Sequence, residues 1–159
     1  MDTGKYVLLT DLVLPETLTT VAVFAFSYCT SLTSLTVPSS ITKIGYGSFE
    51  GCSSLETINL TNGLTTIEGY AFSSCSAISQ IIIPDTVTSI GYNAFEFCTH
   101  LQSIVIGKGV TSIGEKAFAS TSSLIDIYID KDKDTIEGAP WGADDEVTIH
   151  WNAAPDAIE

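Results

Sequence analysis

The sequence predicts a repeat solenoid that is mainly β, with short helical turns, because one 23-residue unit recurs about five times along its 159 residues. An aromatic column, a cysteine column and two aliphatic columns keep this spacing in phase. One unit cannot bury these residues alone, whereas stacked units bury them in a continuous core. The columns are Phe26, Phe49, Phe72, Phe95 and Phe118; Cys29, Cys52, Cys75 and Cys98; Leu32, Leu55, Ile78, Leu101 and Leu124; and Val21, Ile44, Ile67, Ile90 and Ile113.

Each unit contains a strand, a shorter extended segment and a turn. The motif Leu-x-x-Leu/Ile-x-Ile/Val, as at 101–106, alternates inward and outward positions at its end, which is typical of a half-buried strand. A following proline or glycine ends most of these strands. The shorter segment ends on the second aliphatic column, as at 41–44. The pattern Gly-x-x-Ala/Ser-Phe, as at 91–95, predicts a tight turn into about one helical turn that carries the phenylalanine inward.

We divide the chain into three segments on this basis. Residues 1–11 form a thin N-terminal cap or half-coil, residues 12–129 form five coils plus a final strand, and residues 130–159 form an acidic C-terminal cap. The strand motif already begins at Leu9, so the chain starts in mid-repeat and only a short apolar stretch covers that end. Terminal repeats normally need a polar outer face. Two explanations stay open: a fragment of a longer array, or an end that packs against a partner or a second copy.

The repeat motif is Leu-x-x-Ile/Leu-x-Ile/Val-Pro-x-x-Val/Ile-Thr-x-Ile-Gly-x-x-Ala/Ser-Phe-x-x-Cys, and it covers residues 9–129. It resembles the BspA-type leucine-rich repeats of bacterial and protozoan surface proteins. The resemblance implies a curved leucine-rich-repeat rod with a parallel β-sheet on its concave face. It also implies adhesion and protein binding rather than catalysis. The stretch 139–151, with two tryptophans, looks like the ending that often closes such arrays.

Composition and charge exclude several classes of partner. The chain has 19 acidic residues against six lysines, lacks arginine, and carries a net charge of −13. Arginine makes the bidentate contacts to phosphate, and a net anion repels a polyanion, so we expect no nucleic-acid partner. No apolar run reaches about 18 residues, so we expect no membrane insertion. A signal outside this chain would place the protein at the cell surface or outside the cell; otherwise it is cytoplasmic or viral.

The sequence indicates neither an enzyme nor a cofactor. A nucleophile needs a base within reach, and neither His100 nor His150 has a local partner pattern. The cysteines stand 23 residues apart, not in the close pairs of metal sites, so we expect reduced, buried, structural thiols. The acidic run at 130–137 lacks the glycine and the final glutamate of an EF-hand. A solvated loop is the better interpretation, and calcium binding there is left open.

The outward strand positions supply the candidate binding site. This row turns apolar toward the C-terminal coils, and an exposed apolar patch marks an interaction site more often than scattered residues do. Plain β propensity is the alternative explanation. The predicted anchors are Ile82, Val105, Ile125 and Tyr128, and the predicted polar rim is Asn59, Gln80, Gln102 and Asp126.

A second row lies near the turn before each phenylalanine and consists of Phe24, Tyr46, Tyr70 and Tyr92. Its positions slip by one residue between copies. Such a row can stack on sugars or anchor a peptide, and it can equally shield the turn from water.

We hypothesise a non-enzymatic protein-binding or adhesion module that holds a protein partner on its concave strand face. One alternative is a structural spacer or assembly component of a surface or virion complex, which self-associates through its N-terminal end. Another alternative is an acidic decoy or inhibitor of a basic protein, with carboxylates acting in place of phosphates.

Overall fold

The computed structural model describes residues 9–133 and 135–153. They fold as a parallel β-solenoid in which each 23-residue unit makes one coil, with one longer strand and one strand of two residues. The strands are β1 (Asp11–Val13), β2 (Thr20–Val21), β3 (Ser34–Val37), β4 (Lys43–Ile44), β5 (Thr57–Leu60), β6 (Thr66–Ile67), β7 (Gln80–Ile83), β8 (Ser89–Ile90), β9 (Ser103–Ile106), β10 (Ser112–Ile113), β11 (Asp126–Ile129) and β12 (Thr148–Trp151).

The two-residue strands form an unbroken sheet in the order β10-β8-β6-β4-β2. Every pairing is parallel and joins residues 23 positions apart, such as Ile44 with Ile67. The 23-residue period of the sequence therefore sets the register of the strands. The predicted parallel solenoid is confirmed.

The longer strands lie on another face, which we call the main sheet, and here the pairing is interrupted. Strands β1, β3 and β5 form one sheet, and β7, β9, β11 and β12 form another. Across the described residues, β5 and β7 are not paired with each other. The last pair also departs from the period, because Tyr128 aligns with His150, 22 residues later.

The phenylalanine column forms the centre of the core. From Phe26 to Phe118, consecutive rings stack nearly parallel, with centroids 5.4–5.9 Å apart and interplanar angles of 6–17°. Trp141 meets Phe118 edge-on at 6.3 Å and is 2% exposed. Trp151 in turn lies 6.4 Å from Trp141. Trp141 therefore covers the C-terminal end of the ring stack, and Trp151 packs against Trp141.

The cysteine column lies beside the rings, and its thiols are free. Cys52, Cys75 and Cys98 are buried, and each donates a hydrogen bond of 3.1–3.2 Å from its Sγ to a phenylalanine carbonyl in the previous coil. Burial raises the pKa of Cys98 to about 12 and also raises the pKa of Cys75. Cys75 and Cys98 therefore join neighbouring coils as neutral thiols, whereas the neighbouring Cys75 thiol lowers the pKa of Cys52.

The predicted helical turns are wrong: the segments that carry the phenylalanines are successions of tight turns, and no helix occurs in the described residues. Every second amide in these segments donates a hydrogen bond to a carbonyl of the next coil, as Phe49 does to Ala71. In an α-helix it would donate to the carbonyl four residues back. Two columns also have left-handed backbone, with φ of 53–72°, which interrupts any helix. The first column is Phe24, Gly47, Tyr70, Asn93 and Lys116; the second column is Tyr28, Gly51, Ser74, Phe97 and Ser120.

Within the residues described, no helix has the length and apolar character needed to cross a membrane.

Candidate binding surfaces

The gap between β5 and β7 opens a groove of about 440 Å³ on the main sheet. Its walls are the facing strands at 57–60 and 80–82, together with Glu56 and Ser79 at their N-terminal ends. Side chains and backbone of both strands therefore line the same space.

The groove arises where one step of an otherwise regular ladder is missing. At the strand starts, the amide of Glu56 bonds to Thr33 at 3.0 Å, and the amide of Gln102 bonds to Ser79 at 2.8 Å. The corresponding bond from Ser79 to Glu56 is absent from this part of the structure. On β5, the inward residues Ile58 and Leu60 are only half-buried, whereas their counterparts on β3 and β7 are at most 2% exposed. The core is thus accessible to solvent at this groove.

Three of the predicted site residues come together at this groove. Asn59 and Gln80 are exposed on opposite walls, and the Ile82 side chain is 51% exposed. One predicted anchor and two predicted rim residues therefore share a single concave site. Glu56, Thr57 and Ser79 also line it, although they are not among the predicted site residues.

Val105 is a correction to the predicted patch, because its side chain is fully buried. It lies on the outward side of β9, in register between Ile82 on β7 and Tyr128 on β11. These two larger neighbours flank it on both sides, so the Val105 side chain is not accessible to a partner. The expected continuous apolar row is therefore interrupted at its centre.

Gln102 and Ile125 occupy a different depression. They border a shallow space of about 440 Å³ together with residues 122–124 and Glu146. Ile125 is 59% exposed, but it precedes β11 and so lies beside the outward strand row. The predicted site is thus divided between separate surfaces.

Asp126 and Tyr128 form a third group with His150, which is not among the predicted site residues. The Oδ1 atom of Asp126 lies 2.7 Å from Nε2 of His150, and the Tyr128 and His150 rings stack at 4.6 Å. The 22-residue offset of β12 hid His150 from the repeat columns. The alternation of 148–151, aligned on β11, is the signal that could have found it.

The aromatic row packs mainly against itself. Successive rings from Phe24 to Tyr92 lie 5.4 Å apart in edge-on or tilted pairs. Phe24 and Tyr92, at its ends, are 48% and 49% exposed, while Tyr46 and Tyr70 are partly buried. These contacts favour the shielding role of the row, because each ring covers its neighbour.

The N-terminal coil exposes several apolar side chains. Val13 is 83% exposed, Tyr28 67% and Val23 57%. Leu12, by contrast, is half-buried in β1. The short apolar stretch predicted to cover this end, Tyr6, Val7 and Leu8, lies outside the described residues.

The acidic loop before the cap is partly described. The ammonium group of Lys131 donates to the carbonyl of Val110 at 2.7 Å, which ties the loop to the preceding coil. Asp134, a residue of the acidic run, lies outside the described part. Among the residues that are described, no group of three or more His, Cys, Asp or Glu side chains could hold a metal ion.

A parallel solenoid with one longer strand per coil and a repeated Leu-x-x-Leu/Ile-x-Ile/Val motif is typical of leucine-rich-repeat proteins. The family described as "BspA type Leucine rich repeat region" matches residues 5–125 in six copies. The chain belongs to this family, and the resemblance seen in its motif is confirmed.

Solved structures agree with this assignment. The leucine-rich repeat protein of T. pallidum is 33% identical, with a TM-score of 0.74, over 76% of this chain and 58% of that one. A leucine-rich repeat protein from Bacteroides ovatus is 34% identical, with a TM-score of 0.67, over 76% of this chain and 33% of that one. The pneumococcal vaccine antigen PcpA shares the fold: it is 23% identical, with a TM-score of 0.73, over 89% of this chain and 36% of that one.

The chain spans about three fifths of the T. pallidum protein and about a third of the other two. No curated protein matches it.

Proposed function

We propose that the protein is a non-enzymatic protein-binding module, and that the partner binds the outward face of the main sheet around the β5–β7 groove. The observation that carries this proposal is the groove itself, where the exposed Ile82 stands beside the amides of Asn59 and Gln80. Binding sites commonly combine an apolar anchor with a few polar groups that fix orientation.

The chemistry of the chain supports a protein partner over other classes. A net charge of −13 without arginine disfavours nucleic acid and anionic lipid surfaces. The two histidines lie apart: Nδ1 of His100 is 2.6 Å from the Ser76 carbonyl, and His150 pairs with Asp126. Neither arrangement presents an activated nucleophile. Membership of a leucine-rich-repeat family is consistent with a protein-interaction module.

Cell adhesion is the finer form of this proposal. The motif resembles repeats of bacterial and protozoan surface proteins, so a location at the cell surface goes with it. On this hypothesis, Ile82 is the anchor of the groove, while Ile125 and the Asp126–His150 pair extend the contact toward the C-terminal end. Gln102 and Tyr128 complete the predicted surface.

The test compares variants on an array of purified proteins. We expect the labelled chain to bind a subset of the array, and the double variant Ile82→Ser/Tyr128→Ala to lose binding by about 1 to 2 kcal/mol or more. The double variant Ser89→Ala/Ser112→Ala, on the two-residue-strand sheet, serves as control. Equal binding by the Ile82→Ser/Tyr128→Ala chain, with unfolding unchanged, would show that the main sheet is the wrong face.

A second candidate function, assembly through the N-terminal coil, is favoured by the exposure of Val13 and Val23. A cluster of exposed apolar side chains favours self-association. We expect sedimentation velocity to show concentration-dependent association that Val13→Lys/Val23→Lys abolishes. Ile125→Lys, at an equally exposed position near the other end, is the control. A chain that stays monomeric at all concentrations contradicts this candidate.

A further inference from the structure

We propose that the β5–β7 groove takes up an extended, basic segment of the partner as an additional strand, parallel to β5 and β7. This inference rests on the proposed function, because it specifies which part of a protein partner the main sheet binds. It is a form of β-strand addition, here within a sheet rather than at its outer edge.

The backbone of the two strands supplies the first argument. Strand β5 is paired along one edge with β3, and β7 is paired along one edge with β9. Their other edges face each other across the groove without pairing, although the 23-residue spacing is the same as elsewhere. Unpaired strand edges present a row of N–H and C=O groups that another extended chain can satisfy. A segment between β5 and β7 would meet such groups on both sides.

Around the opening, the rest of the coil keeps its contacts with the neighbouring coil. On the opposite face β6 and β8 remain paired, and the amide of Phe72 still bonds to the carbonyl of Ala94 at 2.9 Å. The rings of Phe72 and Phe95 remain stacked at 5.6 Å. The groove is therefore a local opening of one face of a continuous rod. Widening it for a strand moves β5 and β7 apart while these contacts act as the hinge.

Side-chain burial indicates the pattern of the incoming segment. Its inward residues would cover Ile58 and Leu60, which are half-buried here although equivalent positions in neighbouring coils are fully buried. Those residues should be apolar, because they complete the core. Its outward residues would lie between Asn59 and Ile82 and can be polar. The segment should therefore alternate polar and apolar residues, as a strand with one buried face does.

Charge indicates where a basic residue of the segment would lie. Glu56 is exposed at the mouth of the groove, just before β5 begins, and the whole chain carries −13. In a parallel segment, the residue next to this carboxylate is the N-terminal one. A lysine or arginine should therefore precede the alternating residues, since opposite charges steer and orient binding.

The experiment uses acetyl-Lys-Thr-Val-Thr-Val-amide as the probe with the full chain. We expect the peptide to slow amide hydrogen exchange in both 57–60 and 79–83, while exchange in β9 and β11 stays unchanged. Methylating the backbone nitrogens of its first threonine and first valine should weaken binding roughly tenfold or more, because strand hydrogen bonds are lost while the side chains remain. Moving the lysine to the C-terminus, or the variant Glu56→Gln, should weaken binding as well.

Two results would overturn the inference: equal binding by the methylated peptide, or unchanged exchange in both strands at millimolar peptide. The proposed function is tested separately by the array experiment. If Ile82→Ser/Tyr128→Ala loses array binding but the methylated peptide binds as well as the unmethylated one, the main sheet remains the binding face and strand addition is ruled out. Conversely, the peptide could protect the strand amides from exchange while the double variant binds the array as well as the parent chain does. That result would contradict the proposed function.

Discussion

Tyr46 and Tyr92 lie two coils apart in the solenoid, yet their ring centroids are only 6.1 Å from each other. The intervening coil has Gly69 at the equivalent position, and a Cβ there would lie 3.1 Å from the Tyr92 ring. The tyrosine of that coil is displaced by one residue to Tyr70, whose backbone is left-handed. The slip between copies therefore lets the rings interlock, and the row becomes a packed aromatic cluster.

The cluster has a consequence at high pH. Interaction with the Tyr92 hydroxyl, followed by desolvation, raises the pKa of Tyr46 to about 12 from its ordinary value near 10. A raised pKa in the folded chain means that folding favours the protonated phenol. The stabilising effect is complete below the unfolded pKa and is lost as the pH rises toward 12. We expect one tyrosine to ionise after the others in an ultraviolet absorbance titration.

The variant Tyr92→Phe should bring this late ionisation back toward the ordinary tyrosine range, because the ring remains and only the hydroxyl is removed. Tyr28→Phe, outside the cluster, is the control. A late transition that persists in Tyr92→Phe would contradict the assignment.

Removing a ring from the core column should destabilise the whole rod. Phe72 is fully buried between Phe49 and Phe95, with centroids 5.5 and 5.6 Å away. Phe72→Ala should lower the free energy of unfolding by about 3 to 5 kcal/mol, measured by urea denaturation.

The matched control for that experiment is Phe97→Ser. Phe97 is 49% exposed, and serine already occupies its left-handed column at Ser74 and Ser120. We expect this change to stay within about 0.5 kcal/mol of the parent chain. Equal stabilities of the two variants would be incompatible with a stacked phenylalanine core.

The cysteines should differ in reactivity according to burial. Cys75 and Cys98 are buried with raised pKa values, so few thiolates form there at pH about 8, whereas Cys29 is partly exposed. Desolvation also raises the pKa of Cys29, but its sulfur is more accessible to a reagent. Iodoacetamide followed by mass spectrometry should label Cys29 first, and the other two only in denaturant. Native labelling of Cys98 as fast as Cys29 would contradict this order.

Ile82 and Val105 should separate binding from stability. Ile82 is half-exposed in the groove, so Ile82→Ser should weaken partner binding about 5- to 30-fold, with little effect on unfolding. Val105 is fully buried, so Val105→Ala should mainly lower stability, by about 1 to 3 kcal/mol. Titrations with an array-identified partner and urea denaturation measure the two effects. Weaker partner binding with unchanged stability in Val105→Ala would contradict its burial and would make Val105 a binding anchor, as the sequence-based patch had it.

Much of the fold could be predicted because the repeat itself specifies it. Equal spacing places Ile44 beside Ile67 and Phe49 beside Phe72, so register and core follow from counting residues. The turn was predicted wrongly because its amides bond across coils, and single-sequence patterns do not show which partner an amide takes. Of the predicted site residues, Asn59, Gln80 and Ile82 share a groove, whereas Ile125 lies elsewhere, because the repeat does not specify how far neighbouring strands stand apart.

The sequence by itself determined the solenoid, its family, its parallel register and the residues that fill its core, since these depend on a period that every copy repeats. Only the tertiary structure decided how equivalent positions of the copies differ in burial and in neighbouring side chains. Val105 is buried because of the neighbours on both sides, and His150 joins Tyr128 because the last strand is offset by one residue. The β5–β7 groove likewise depends on the distance between two backbones, which the identity of the residues in one coil does not specify.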